Sequence, residues 1–227
     1  MSFNNFIREL SGTRVEGELI KTIFYSITTS FILLAAIYYL KFRFIEDFLD
    51  TSGYFLFFAA MSYSLLIPTI RQVRAYKELP CMAGMMVGMT IGMVAGFLPG
   101  FFLAATNGMF VGSVFGMTIG ITAGIWSGRC CGIMGIMEGI MAGFMGGLMG
   151  AMTAFMLFND NLKIATVIVF LISAVILLSL SYMTYKEMES GERVVREDHT
   201  MTFVATFILI ILTTWLMTSG PRSGVFG

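Results

Sequence analysis

Residues 81–100, CMAGMMVGMTIGMVAGFLPG, carry glycine at 84, 88, 92, 96 and 100, and the spacing persists in the two apolar runs that follow. Residues 108–128, GMFVGSVFGMTIGITAGIWSG, place it at 108, 112, 116, 120, 124 and 128, with 132 beyond, and the next run has it at 135, 139, 143 and 147. A period of four keeps one kind of residue on one face of a helix. In water an exposed helix loses about 1 kcal/mol for each glycine standing where alanine would serve. In lipid, where no hydrophobic force draws helices together, glycine lets two backbones approach closely. Residues 81–158 therefore predict three membrane-spanning helices packed backbone to backbone, with methionine supplying much of the bulk between the glycines.

The flanks extend this reading. Apolar runs at about 24–40, 54–70, 164–185 and 201–218 add four further spans. The first of them ends in Tyr-Tyr-Leu-Lys without a small-residue cleavage site, so it is expected to remain as a span and not to be removed as a signal peptide. With 57% apolar residues, 12% charged and no formal net charge, the sequence belongs to the polytopic membrane class and lacks the basic surplus of a nucleic-acid binder. The expected fold is all-α: an integral membrane protein of about seven transmembrane helices forming one domain over residues 1–227, with spans three to five as a glycine-rich core. Spans one, six and seven, rich in Ile, Leu, Phe and Val, are expected to form a lipid-facing shell around that core.

Residues 1–21 read as an interfacial segment. Phe3, Phe6, Ile7 and Leu10 at helical spacing predict a short amphipathic helix on the membrane surface, with a soluble docking helix as an equal alternative. Residues 219–227 read as a flexible tail. Lys and Arg favour one side: Arg71, Arg74, Lys77, Arg129, Lys186, Arg193 and Arg196 share it with the amino terminus, against Lys41, Arg43, Lys163 and Arg222 on the other. The richer side is expected to be cytoplasmic, which puts the carboxyl terminus on the opposite side.

Sulfur is the first candidate chemistry. On span five, Cys131, Met134, Met141, Met145, Met149, Met152 and Met156 fall within about 60° of Glu138 on a helical wheel. Span three repeats the design with Met82, Met85, Met86, Met89 and Met93 in a stripe that begins beside Cys81. Two spans separate Cys81 from Cys130 and Cys131, so all three thiols are expected at one surface, reduced if that surface is cytoplasmic. Thiolates leading to thioether ladders have the ligand softness of Cu(I) or Ag(I) sites. Repeated weak ligands would let an ion hop, provided the sulfur flanks turn inward toward one another. The competing reading is that methionine, flexible and adaptable, is packing material beside glycine, and that the cysteines are small apolar residues.

Glu138 is the one acid deep inside a run, about 12 Å inward from Cys130. A carboxylate there costs several kcal/mol unless paired, protonated or wetted. Thr90, Thr118 and Thr122 lie at similar depth and are expected to be able to donate to it. The functional reading makes Glu138 an ion or proton site with Thr90 and Thr118; the structural one makes it a neutral acid locking the trio.

Met85-x-x-x-Met89, Met141-x-x-x-Met145 and Met152-x-x-x-Met156, with the GxxxG runs, resemble the MxxxM and GxxxG helices of the Ctr-type copper transporters. The resemblance is local: that family has three spans per chain and a methionine-rich outer tail, which this chain lacks. From the softness of the sulfur pattern, Cu(I) is the expected ion, with Met82, Met85, Met89, Met93, Met134, Met141, Met145 and Met149 and the three cysteines as candidate ligands. The residues alone leave three functions open: a soft-metal binder or transporter, a non-catalytic structural subunit whose glycine faces clasp its own helices or those of a partner or further copy in a larger membrane complex, and a proton or cation channel centred on Glu138. No nucleophile, base and orienting group occur together, so an enzyme is not expected.

Overall fold

The computed structural model describes residues 15–40, 53–74, 80–187 and 199–220, with residues 15–21, 36–38, 40, 130, 199–203 and 219 described in their backbone alone. Among them run seven helices: α1 Val15–Leu40, α2 Tyr54–Arg74, α3 Cys81–Asn107, α4 Met109–Gly128, α5 Gly132–Met156, α6 Leu162–Glu187 and α7 His199–Ser219. A single 3₁₀ turn, Arg129–Cys131, joins α4 to α5. Helices α2 to α6 are long and apolar enough to cross a bilayer, and α1 and α7 carry shorter apolar stretches, Thr22–Ala35 and Val204–Thr218. The protein is thus an all-helical membrane protein whose helices answer one for one to the expected spans. The expected amphipathic helix before Leu10, the loop after Glu187 and the tail beyond Gly220 lie outside the described residues.

Three boundaries differ from the sequence reading. Helix α1 begins at Val15, so residues 15–21 continue span one and are not a separate segment. Helix α5 stops at Met156, short of Phe158. The largest difference is α3, which does not end at Gly100 but runs through Pro99 to Asn107. Proline removes one backbone donor and crowds the preceding turn, yet Phe101, Phe102, Leu103 and Ala104 beyond it are fully buried. That burial outweighs the local defect. The whole reversal into α4 is then made by Gly108, at φ 108°, a conformation that side-chain-bearing residues rarely adopt.

The trio α3–α4–α5 is held by its glycines. A Cβ added at Gly96 would lie 2.8 Å from Gly143 O and 2.9 Å from Gly147 N, and one at Gly120 would lie 2.7 Å from Gly96 Cα. Glycines 88, 92, 96 and 100 of α3, 112 to 128 of α4 and 135 to 147 of α5 each face backbone or Cβ atoms of the other two helices. Among the described residues these glycine faces meet the chain's own helices, the own-helix clasp that the sequence reading offered beside partner contact.

The other helices do not form a shell around this trio. Helix α2 packs on α1, α6, α7 and α3, and its buried Tyr63, Leu66 and Val73 are continuous through α3 with the core of the trio. Helix α5 packs substantially against α3, α4 and the 129–131 turn alone, so it stands at the rim of the described structure. Two polar contacts tie the halves together. Asn107 Nδ2 donates to Leu216 O at 2.7 Å at the carboxyl end of α7, while Thr106 Oγ1 donates to Asn107 Oδ1. At the opposite end the Arg74 guanidinium lies 4.6 Å over the Trp126 ring, joining α2 to α4.

Candidate sulfur-lined seam

Helices α3 and α5 run parallel, because α4 returns the chain between them. Their register is fixed at several levels: a Cβ on Gly92 would meet Gly139 O at 2.9 Å, and one on Gly150 would meet Phe97 Cα at 2.9 Å. Residues roughly fifty apart are therefore level, and at the amino-terminal end this puts Cys131 beside Cys81. The Cys131 thiol donates to Cys81 O at 3.3 Å. Cys81, first residue of α3, is exposed, and Cys131 is half-buried. The expected convergence of thiols at one end is thus seen for these two.

The methionines are placed otherwise than expected. Gly146 and Gly150 of α5 rest against the Met93 and Phe97 backbone of α3, so the strip of α3 that meets α5 is the one carrying Met93. Met82, Met86 and Met89 lie within about 40° of that strip on the wheel. On α5, Met149, Glu138 and Met145 lie about 60° to 100° round from Gly146, on the side away from α4. Two methionine rows thus border the outer edge of one seam. They do not close on one another: Met82 is 81% exposed and Met141 62%, and Met86, Met89, Met134, Met145 and Met149 are also exposed, with Met85 and Met93 half-buried. The inward-turned sulfur path is overturned, because the glycines leave the helix backbones in contact along the seam and the methionine side chains at its exposed edge.

Glu138 shares this outer face. It is exposed, level with the turn 85–89 of α3, and about 10 Å along the axis from Cys131. The expected threonine partners do not reach it. Thr90 Oγ1 donates to Met86 O, Thr118 Oγ1 to Phe115 O, and Thr122 Oγ1 to Thr118 O and Ile119 O, each on its own helix. Hydroxyls in apolar surroundings commonly satisfy themselves in this way. The neutral acid locking the trio from within is therefore also overturned.

The ligand inventory is sulfur alone: no three of His, Cys, Asp and Glu converge among the described residues. The sequence reading missed two features that the folded chain brings out. Asn107, buried and bonded to α7, was read as part of a connection. Gln72, buried near the end of α2, has neither amide atom hydrogen-bonded. Nothing in their sequence context marks either one, since each depends on helices distant in the chain. Compared with protein-family models, with curated proteins and with solved structures, the chain matches none.

Proposed function

We propose that this is a non-catalytic membrane protein that binds a soft monovalent metal ion, Cu(I) or Ag(I), at the amino-terminal end of the α3–α5 seam. One observation carries the reading: the Cys131 thiol rests on Cys81 at the head of a seam bordered by two rows of methionine. A d¹⁰ ion is satisfied by few, soft ligands, and thiolate with thioether suits it better than any oxygen-seeking cation. Cys81 and Cys131 are the primary ligands, and Met82, Met85 and Met86 lie within two turns of them. Conduction through the interior of a single copy has no support, because the trio's interior is backbone. Transport along the rows needs a second surface that closes the seam from outside. The orientation that goes with this reading puts the thiol end in the cytoplasm, following the Lys and Arg asymmetry.

The test is a titration of the detergent-purified, reduced protein with Cu(I) in competition with a chromophoric chelator. One tight equivalent, lost in Cys81→Ser and in Cys131→Ser, supports the reading. Binding that is absent, or unchanged in both variants, refutes it.

A second reading, a structural subunit of a larger membrane complex, is favoured by Glu138. A carboxyl group on the outer face of a spanning helix is costly against acyl chains and less so against a partner's donor. Photo-crosslinking from position 141 that yields one defined adduct would support it; lipid adducts alone would remove it. A channel centred on Glu138 finds no support in a carboxylate that lies outside the trio.

A further inference from the structure

We infer that Cys81 and Cys131 form a reversible disulfide that staples the start of α3 to the α4–α5 turn. This rests on their juxtaposition and is independent of whether the seam binds metal. Both residues are thiols in the structure. With Cys131 Sγ 3.3 Å from Cys81 O, that sulfur lies no more than about 6 Å from the Cys81 Cα by standard backbone dimensions. Adding the length of the Cys131 side chain bounds the separation of the two Cα atoms at about 8.5 Å, so the 4.4–6.8 Å of a bridged pair is reached by side-chain rotation with a small shift of the 129–131 turn.

The Cys131 sulfur is held at the Cys81 carbonyl, which points along the helix toward its carboxyl end, whereas the Cα–Cβ bond of a helical residue tilts toward the amino terminus. Closing the bridge therefore requires the Cys131 side chain to rotate off that carbonyl toward the Cys81 thiol. Cys131 is the residue immediately before α5, and Gly132 after it holds φ 68°, with nothing within 4 Å of where a Cβ would stand. Cys81 is exposed, so a dissolved oxidant reaches it first.

The reaction is thiol–disulfide exchange with a small-molecule disulfide such as oxidised glutathione. The Cys81 thiolate attacks one sulfur of the reagent, forming a mixed disulfide and releasing one thiol. The Cys131 thiolate then displaces the second thiol and closes the bridge. Two protein thiols are oxidised, one reagent disulfide is reduced to two thiols, and the two protons leave with them. A bridge formed in this way is reopened by excess thiol.

The experiment uses the full chain in detergent, incubated with oxidised glutathione, alkylated, digested and analysed by mass spectrometry. The expected result is a crosslinked peptide joining Cys81 to Cys131, removed by dithiothreitol and formed equally in Cys130→Ser. Cys81→Ser and Cys131→Ser should each stop at a mixed disulfide. A dominant link to Cys130, a link between two copies, or persistence of mixed disulfide in the unmutated chain overturns the inference. Thermal unfolding of each variant before oxidation shows that the fold is intact. Because no metal is added, a failed Cu(I) titration and a failed crosslink are separate results.

Discussion

Helices α5 and α6 are nearly equal in length and each leaves one face uncovered, yet they use opposite chemistries on both faces. The inner face of α5 is glycine and alanine against bare backbone, while that of α6 buries Thr166, Ser173, Leu177, Leu180 and Thr184, side chains against side chains. The outer face of α6 is Ile164, Ile168, Leu171, Ile172 and Val175, an ordinary surface for lipid. The outer face of α5 carries Met134, Met137, Met141, Met145, Met149 and Glu138 interspersed with Ile133, Ile140 and Phe144. Neither internal packing nor lipid contact accounts for the methionines: the first uses glycine, and the second is met on α6 without them. The difference marks the methionine-bearing side of α5 as the place to test for an ion or a partner.

The comparison can be broken most forcefully at the inner faces. Gly120→Val is expected to destabilise the detergent-solubilised protein by about 3 kcal/mol or to prevent folding, since its Cβ must displace backbone. Ser173→Ala on α6 should cost under about 1 kcal/mol by thermal unfolding. If the two losses were equal, the contrast in packing would be wrong. Next in size is metal affinity. Cys131→Ser should weaken Cu(I) binding at least about tenfold, the scale on which even outer-shell partners of metal sites act. Competition titration reads this directly.

The outer faces give smaller and sharper effects. Replacing Met141, Met145 and Met149 together by Leu should leave stability within about 1.5 kcal/mol, because the positions are exposed and the volumes nearly conserved. The same variant should lose any second, weaker equivalent of Ag(I) in calorimetry, whereas Ile168→Met on α6 should gain none. Glu138→Gln is expected to shift stability by less than about 0.5 kcal/mol, as a surface change with no partner among the described residues. Its effect should appear as loss of a crosslinked assembly, not as loss of fold.

The glycine period made the trio legible, because a four-residue repeat names a face without reference to any other part of the chain. The spans were legible for the same reason: hydropathy is local. What local pattern could not give was which side of the trio the sulfur takes. On a wheel the methionines of α5 lie beside its glycines, and that holds equally for a stripe turned inward and one turned outward. The choice is made by Gly146 and Gly150, a second small-residue row that lets α3 settle over it and pushes Met145 and Met149 to the rim. Pro99 misled in the opposite way, as a local breaker overridden by the buried aromatic run after it. Counting spans put the thiols at one surface, while the contact of Cys131 with Cys81 needed the folded register of α3 and α5.

The reversal at Gly108 bears on how the chain reaches its membrane. A single residue between two spanning helices leaves no loop to remain behind while one of them crosses. Helices α3 and α4 must therefore enter the bilayer together as a hairpin, already touching along their glycines, and α5 can complete the trio only once that hairpin is in place. Any residue with a side chain at 108 would be expected to fail at the insertion machinery, during synthesis, long before the finished protein has a stability to measure.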